Sequence, residues 1–415
     1  MIGIKQLLQI LQENPAVRNL CAGKSELGNL SLSEEALLLA AWFTRQPQTL
    51  LVVKNNSYTA QRLHERLTPL LPEDALLLVM EESLRVEAIA ASPQAKAEQL
   101  EVMAKILQRK RPYILIVNAA AFHRLLPSLA LFRSHCFHLH IDDEIEYDVL
   151  KQRLQSSGYT KVSHVDQPLC YAARGGIVDV YSMNYEHPVR IEFFDNIVES
   201  IRFFDEGSQR TIREVESVDI IPASDLLFTD EQLDELETAL KAAFEQQAHR
   251  LDELARTQLS QLLEDDLSAL RSHLSDQRLY PYLAWLKEQH SISDYCPDAR
   301  IVLSSREEVH DSIKRIQEET IHYVQEMTEE GRMLAKFTLF RDENACIAHH
   351  PLTTFDLFLN MMHPVSSQIM SVSPGELSFA RQLETIAQQA KTNAVVLCVE
   401  KANAHTVIEG LNSEQ

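Results

Sequence analysis

Residues 188–205 read PVRIEFFDNIVESIRFFD, and this stretch places two alternating apolar and polar runs on either side of Asp195-Asn196. Such alternation is typical of a strand with one buried face, and an Asp-Asn pair between two runs predicts a hairpin turn. The side chains of the first run divide between two faces, with Val189, Ile191 and Phe193 on one and Arg190, Glu192 and Phe194 on the other. The preceding segment LCYAARGGIVDVYS (169–182) repeats the pattern around Gly-Gly. We therefore predict a small, largely antiparallel β-rich domain over residues 146–225.

Strand-like and helix-like segments alternate on both sides of this domain. Apolar runs typical of buried strands are TLLVVK (49–54), ALLLVM (75–80), YILIVN (113–118) and ARIVLSS (299–305), and a long helix is predicted near residues 94–108. Strands alternating with helices at this spacing predict a parallel α/β sheet. We expect one split α/β domain, with its first part in residues 1–145 and its second part, together with long helices, in residues 226–378. Residues 379–415 look like the start of a following α/β domain, so we expect a fragment of a longer polypeptide.

The long helices are predicted from an absence of helix breakers. Residues 223–280 contain neither glycine nor proline, and leucines recur at spacings of three, four and seven from Leu233 onward. This pattern predicts a long amphipathic helix, which could form a lone coiled coil or pack against the α/β domain. A further long helix is predicted for residues 306–330.

The composition favours a cytoplasmic protein that does not bind nucleic acid directly. The chain carries 39 Lys and Arg against 60 Asp and Glu, a formal charge of −21, and such a surface repels a polyanion. The tight basic cluster at residues 109–111 ends a predicted helix, and we interpret it as a partner of the helix dipole. The N-terminal segment lacks the features of a signal peptide, and the six scattered cysteines are interpreted as reduced thiols.

The segment CAGKS (21–25) looks like a phosphate-binding loop, but its surroundings argue against nucleotide binding. A Walker A loop needs a glycine five residues before its Gly-Lys, where this chain has Arg18, and a helix that starts at once. The helix is instead predicted to begin near Ser33, with Glu34-Glu35 where phosphates would lie. The last strand of the predicted sheet ends in Ser304-Ser305 rather than in the acidic pair that holds Mg²⁺. We expect no ATPase activity, no catalytic residue and no bound cofactor in this chain.

A possible metal site lies in HCFHLHIDD (135–143). In a strand, Cys136, His138, His140 and Asp142 would share one face, and this set could bind zinc. Side chains two residues apart on a flat strand rarely converge on one ion, and no second ligand pair lies nearby. We therefore interpret these residues as strand side chains without a metal.

Phe194 is unusual because it shares its predicted face with charged residues. An ordinary half-buried strand with a solvated face explains the pattern. An interface anchor, in which an exposed arginine lies beside an exposed aromatic ring, explains it equally well. The residues by themselves leave both interpretations open.

Residues 173–223 closely resemble the β module of the bacterial transcription-repair coupling factor (Mfd) family, which also occurs in UvrB, the DNA-loading helicase subunit of nucleotide excision repair. The shared marks are Arg-Gly-Gly followed by two hydrophobic residues and Asp, then RIEFFD, ESIRFFD, SQR and PA. Looser agreement extends over residues 30–310. UvrB-like proteins carry an intact Walker A loop and a tyrosine-bearing hairpin, whereas residues 81–111 here contain no Tyr, Phe, Trp or Gly. The chain thus resembles the N-terminal module of the coupling factor, a UvrB mimic that has lost the motor.

The resemblance implies that the chain recruits UvrA, the damage-sensing ATPase, to RNA polymerase stalled at a lesion. Carried over residue by residue, the UvrA-binding positions are Arg174, Arg190 and Phe194, with Glu192 and Arg202 as weaker candidates. The arginines are expected to pair with carboxylates of UvrA, and Phe194 to fill an apolar pocket. The resemblance implies that the full-length protein is an ATP-dependent DNA translocase. Its other domains would bind ATP, Mg²⁺, DNA and RNA polymerase. The family usually has proline where this chain has Ser182, so the local turn departs from the family pattern.

Two other functions stay open. The chain could be a UvrB-like helicase subunit with a divergent nucleotide site, which detectable ATP turnover would favour. It could also be a free-standing competitor for UvrA, which a gene ending at residue 415 would favour.

Overall fold

A computed structural model describes residues 4–23, 26–28, 30–85, 92–356, 383–384, 386–388, 391 and 404–413. The chain divides into two compact units, one made of Met1–Gln46 with Phe358–Gln415 and the other of Pro47–Leu357. No helix among the described residues is long and apolar enough to cross a membrane. The four domain boundaries given above remain predictions.

The first unit is mainly helical. Its described elements are α1 (Ile4–Gln12), α2 (Pro15–Cys21), β1 (Glu26–Gly28), α3 (Leu32–Arg45) and the helix Ala404–Ser413. The side chain of Asn14 accepts the N–H of Ala16 at 2.8 Å and so begins α2. The Arg45 guanidinium donates to the Gln12 carbonyl at 2.6 Å and links the end of α3 to α1. The helix predicted to start near Ser33 is thereby confirmed as α3.

The second unit holds three groups of elements. Those before the β-rich domain are β2 (Leu50–Lys54), α4 (Ser57–Leu67), β3 (Ala75–Leu78), α5 (Pro93–Gln108), β4 (Ile114–Asn118), α6 (Ala119–His123) and α7 (Leu129–Ser134). Those of the β-rich domain are β5 (Phe137–His140), α8 (Tyr147–Ser156), β6 (Thr160–Lys161), β7 (Cys170–Arg174), β8 (Ile177–Val180), β9 (Val189–Phe194), β10 (Ile197–Phe204), β11 (Thr211–Val215) and β12 (Ser217–Ile220). Those after it are α9 (Asp230–Ala248), α10 (Glu253–Arg271), the 3-10 helix Gln277–Trp285, α11 (Ile292–Tyr295), β13 (Arg300–Ser304), α12 (Arg306–Glu329), α13 (Glu343–Ile347) and β14 (Leu352–Asp356).

A parallel sheet with the strand order β14-β13-β2-β4-β3 forms the α/β part of this unit. Leu50 in β2 lies beside Ile114 on one side and Arg300 on the other. All residues of β2 and β4 are buried, as expected for central strands covered on both faces. Strands β2 to β4 precede the β-rich domain in the chain, whereas β13 and β14 follow it. The predicted α/β class, with one sheet split by an inserted domain, is confirmed.

The long helix predicted between residues 223 and 280 is instead two helices, α9 and α10. The chain turns between them without glycine or proline, because the Asp252 side chain accepts the N–H of Ala255 at 2.8 Å and begins a new helix. Leu236 and Leu259 of these helices belong to the same buried cluster as Leu115 in the centre of the sheet. Of the two arrangements left open, packing against the α/β part is therefore the one observed.

The β-rich domain is a sheet of six strands in the order β11-β10-β9-β8-β7-β6, antiparallel except between β6 and β7. It has its own hydrophobic core, in which Val178, Ile191 and Ile201 of the sheet meet Leu150 of α8. β5 and β12 form a separate antiparallel pair where the chain enters and leaves the domain. The predicted small antiparallel module is thus confirmed.

The C-terminal predictions lie mostly outside the described residues. The helix predicted for residues 377–390 is described only at 383–384 and 386–388. The strand predicted for residues 394–400 lies wholly outside the described part of the chain.

Candidate protein-docking surface

The alternation predicted for β9 is present in the structure. Val189 and Ile191 are buried in the core of the β-rich domain, and Phe193 packs against it. The other side of the strand, which we call the outer face, carries Arg190, Glu192 and Phe194. Phe194 is 72% exposed, which is high for a large apolar side chain in a sheet.

Two hairpin turns lie at the same end of the sheet and position two of the candidate residues. Gly175 and Gly176 join β7 to β8 with φ values of +57° and +81°, the sign that a type I′ turn requires at both central positions. Asp195 and Asn196 join β9 to β10, which confirms the predicted hairpin. The Phe193 N–H donates to the Gly176 carbonyl at 2.9 Å and holds the two turns together.

Arg174 and Phe194 therefore lie at the same end of the sheet, on strands β7 and β9, which are separated by β8. Arg174 is exposed, and its guanidinium makes no hydrogen bond or ion pair with the described residues. Ile197 is the cross-strand partner of Phe194 and is 44% exposed. We call Arg174, Phe194 and Ile197 the turn-end patch. It combines an uncommitted guanidinium with two solvent-facing apolar side chains.

Arg190 lies deeper in the outer face and is already engaged within the chain. Its Nε donates to Asp179 Oδ1 at 2.6 Å and its Nη2 to Asp179 Oδ2 at 2.8 Å. Nη2 also donates to Gln209 Oε1 at 3.0 Å. The side chain of Arg190 keeps 14% exposure. The guanidinium fork expected to face a partner carboxylate thus holds an internal one, and Nη1 keeps the remaining donors.

Glu192 and Arg202, the two weaker candidates, pair with each other. Arg202 Nη2 donates to Glu192 Oε1 across β9 and β10, and the Ser200 hydroxyl donates to Glu192 Oε2 at 2.8 Å. About a quarter of each of the two charged side chains is exposed. The outer face is therefore a network of paired charges that ends in the turn-end patch.

Asp179 is a candidate that the local sequence pattern does not single out, although it is the Asp of the Arg-Gly-Gly motif. It lies on β8 directly opposite Arg190 and is only 4% exposed. The sequence signal for this ion pair is an acidic and a basic residue in two adjacent predicted strands. Because strand register is not visible in a local pattern, the sequence did not pair them.

Ser182 stands where the family pattern has proline, and its hydroxyl makes two hydrogen bonds. It accepts the Ile221 N–H at 3.2 Å and donates to Asn184 Oδ1 at 2.6 Å. These bonds connect the exit of β8 to the segment after β12, a connection that a proline side chain could not make.

The candidate metal strand is β5. Phe137 and Leu139 are buried while His138 and His140 are exposed, so the predicted alternation is confirmed for these four residues. Cys136 and Asp142 lie outside the strand, and Asp142 has a φ of +73°, so the four candidate ligands do not share one strand face. His138 Nδ1 lies 2.9 Å from Asp219 Oδ1 on β12. Burial raises the pKa of the Cys136 thiol to about 11, which disfavours the thiolate that binds metal. Within the described part of the chain, no group of three or more His, Cys, Asp or Glu side chains is arranged to hold a metal ion.

The candidate phosphate loop is described only in part, since Lys24 and Ser25 lie outside the described residues. Helix α3 behind it starts with a capping box, in which the Ser31 hydroxyl accepts the Glu34 N–H and the Glu34 carboxylate accepts the Ser31 N–H at 2.8 Å. The carboxylate thus lies at the helix N-terminus, where an anion would bind. At the end of β13, the Ser304 hydroxyl accepts a hydrogen bond from Lys54 Nζ at 2.5 Å.

Comparison with known proteins identifies the β-rich region. The family model described as "UvrB interaction domain" matches residues 137–226, a range that begins at β5 and ends beyond β12. Transcription-repair-coupling factors match most of the chain. That of Bacillus subtilis is 29% identical over 401 residues, which covers 94% of this chain and 33% of the relative.

The chain is similar to transcription-repair-coupling factors over most of its own length. The factor of Staphylococcus haemolyticus is 27% identical over 347 residues, covering 82% of this chain and 29% of the relative. That of Staphylococcus aureus (strain bovine RF122) is 28% identical over 341 residues, covering 80% and 29%. The chain thus spans about a third of the length of these relatives. The matches support a module of a transcription-coupled repair factor, with a region similar to the UvrB interaction domain at residues 137–226.

Proposed function

We propose that this module recruits UvrA in transcription-coupled nucleotide excision repair and that the turn-end patch is its main docking surface. The observation that carries the proposal is the exposure of Phe194, at 72%, at the same end of the sheet as the uncommitted guanidinium of Arg174. An aromatic ring held in water at the end of a rigid sheet contributes nothing to the core. Aromatic and arginine side chains are the residues most often found as binding hot spots.

The remaining candidates support the same surface in smaller ways. Arg190 offers its Nη1 from a fixed position, and the Glu192–Arg202 pair keeps the outer face polar. Partially buried charge pairs of this kind favour specificity over raw affinity, because a wrong partner leaves them poorly matched.

We also propose that the chain hydrolyses no ATP. The Glu34 carboxylate occupies the N-terminus of α3, and β13 ends in Ser304 instead of a Mg²⁺-binding acid. ATP and Mg²⁺ binding, DNA translocation and contact with RNA polymerase would then belong to other parts of the full-length factor. ATP turnover by this chain would instead support a UvrB-like helicase subunit.

The docking proposal is tested by calorimetric titration of the chain with purified UvrA. Phe194→Ala and Arg174→Ala should each weaken binding by about 1–4 kcal/mol, since each removes one anchor of the turn-end patch. Ile212→Ala is the matched control, because Ile212 is also exposed (46%) but lies on β11 toward the opposite end of the sheet. Its affinity should equal that of the wild type.

Two results would contradict the proposal. The first is a folded wild-type chain that does not bind UvrA. The second is binding that Phe194→Ala and Arg174→Ala leave unchanged, which would place the contact elsewhere on the module.

A further inference from the structure

The feature that carries a further inference is a buried carboxylate beneath the outer face. Asp179 is 4% exposed, and its strand β8 lies between β7 and β9. Its two oxygens accept two parallel hydrogen bonds from Nε and Nη2 of Arg190, at 2.6 and 2.8 Å. This is the bidentate geometry in which a carboxylate fixes a guanidinium most strongly.

Two further contacts complete the arrangement around Arg190. Gln209, which follows the β10 strand in a tight loop, accepts a hydrogen bond from Nη2 at 3.0 Å. The guanidinium carbon lies 4.5 Å from the ring centroid of Phe204. The plane of the guanidinium is thus fixed by a carboxylate, an amide and an aromatic ring.

The donor count shows what Arg190 has left. A guanidinium has five N–H groups, and three of them are used by Asp179 and Gln209. The two on Nη1 make no hydrogen bond with the described residues. The hydrogen bond to Asp179 also raises the pKa of Arg190, so the side chain stays charged under all working conditions.

We propose that Asp179 is a positioning residue that fixes Arg190 before UvrA binds, so that Arg190 presents the single nitrogen Nη1 to a carboxylate of the partner. A free arginine loses much rotamer freedom when it is immobilised at an interface, and a side chain already fixed by its own chain loses little. This inference rests on the proposed function. It makes Arg190 a rigid one-point contact, whereas Arg174 has to be ordered during binding.

Asp179 could also weaken the binding of UvrA, and the experiment below distinguishes this effect from positioning. A carboxylate that occupies the fork also competes with the partner's carboxylate for Arg190. If competition were the larger effect, removing the charge of Asp179 would strengthen the association with UvrA instead of weakening it.

The experiment is a double-mutant cycle measured by UvrA titration. Asp179→Asn keeps the shape but replaces one acceptor with an NH₂ group that cannot accept from Arg190. We expect about tenfold weaker binding for Asp179→Asn and a similar loss for Arg190→Ala. The double variant should bind like Arg190→Ala alone, because Asp179 acts only through Arg190. If Asp179 instead supports the fold independently of Arg190, the double variant should bind UvrA more weakly than Arg190→Ala alone.

Gln209→Ala keeps the inference testable if Asp179→Asn does not fold. Gln209 is half-buried in a loop, so its truncation should leave the melting temperature nearly unchanged. It should weaken UvrA binding about threefold, and this loss should vanish in the Arg190→Ala background. If Asp179→Asn folds and binds UvrA as tightly as the wild type or more tightly, the positioning role is overturned. If Asp179→Asn does not fold, the same result for Gln209→Ala overturns it.

The outcomes also distinguish this inference from the proposed function. Failure of the wild-type chain to bind UvrA removes both. Binding that is lost in Phe194→Ala but unaffected by Asp179→Asn leaves the docking surface in place and removes only the role of Asp179.

Discussion

Asp225 carries the negative charge of a buried ionic cluster that follows the β-rich domain. It is 1% exposed, and its Oδ1 lies 2.6 Å from Lys96 Nζ on α5. Arg124 is also fully buried, with Nε 4.0 Å from Asp225 Oδ2 and its guanidinium carbon 3.9 Å from the Tyr280 ring centroid. Burial acts to raise the pKa of Asp225, but the charges of Lys96 and Arg124 outweigh it and hold the pKa below its ordinary value.

We expect Asp225→Asn to lower the free energy of unfolding by about 3–5 kcal/mol, since it leaves two buried cations without their carboxylate. Because the pKa of Asp225 is lower in the folded chain, its contribution to stability is present above the ordinary pKa of 3.8. It is lost as the pH falls toward the folded value. Urea unfolding at pH 7 and in an acid series measures both effects.

The control for this prediction is Asp234→Asn, which removes a carboxylate that is 73% exposed and paired with Arg271 at the surface. Its effect on unfolding should stay within about 0.5 kcal/mol. If Asp225→Asn retained the wild-type stability at neutral pH, the cluster would contribute nothing to the fold.

At the scale of elements, the end of α8 is held against the segment after β12 by close backbone contact. The Ala223 N–H donates to the Ser157 carbonyl at 2.8 Å. Gly158 follows with a φ of +86°, and a Cβ built on it would lie 2.4 Å from the Cβ of Ser224. Only glycine fits this junction, both for its backbone conformation and for lack of space.

Gly158→Ala should therefore lower the free energy of unfolding more than a substitution at a glycine that has a positive φ but free space around its Cα. Gly175→Ala is the matched case, because Gly175 has a φ of +57° but no atom within 4 Å of its added Cβ. We expect about 1–2 kcal/mol for Gly175→Ala and roughly 1–3 kcal/mol more for Gly158→Ala. Thermal unfolding of both variants measures the difference, and equal losses would show that Ser224 moves aside freely.

The elements also show what a sequence can and cannot reveal. Strands β9 and β10 and their turn were predictable because alternation and Asp195-Asn196 are local signals. The break between α9 and α10 was missed because Asp252, a residue that is ordinary on a helix surface, acts there as a cap. Pairs of residues that are distant in sequence but close in the structure are also not visible in a local pattern. The Asp179–Arg190 pair depends on register between strands, and the site residues came from family resemblance rather than from composition.

At the scale of the whole molecule, the net charge predicts that the chain does not bind nucleic acid. Its formal charge is −21, and the basic cluster after α5 is engaged within the chain. Arg111 donates to Glu73 Oε2 at 2.7 Å, and Arg109 lies 3.4 Å from Asp74 Oδ1. The sequence suggests the helix dipole as the partner of these arginines, whereas the structure pairs them with the acidic turn before β3.

We therefore expect no measurable binding of this chain to single-stranded DNA at about 0.15 M salt, where non-specific affinity depends on clustered cations. Fluorescence anisotropy with a labelled oligonucleotide checks this. Binding that weakens steeply as salt is raised would reveal a phosphate-binding surface that the charge distribution does not suggest.

The pairing of β5 with β12 has a consequence for the history of the molecule. Phe137 at the start of β5 lies opposite Ile220 at the end of β12, so the polypeptide enters and leaves the β-rich domain at one place. Paired strand residues are about 5 Å apart, and the domain carries its own core. A domain whose two ends lie this close together can be inserted into a surface loop of another protein without separating the residues on either side of that loop. Recombination of the gene segment that encodes it could therefore transfer the whole domain between proteins.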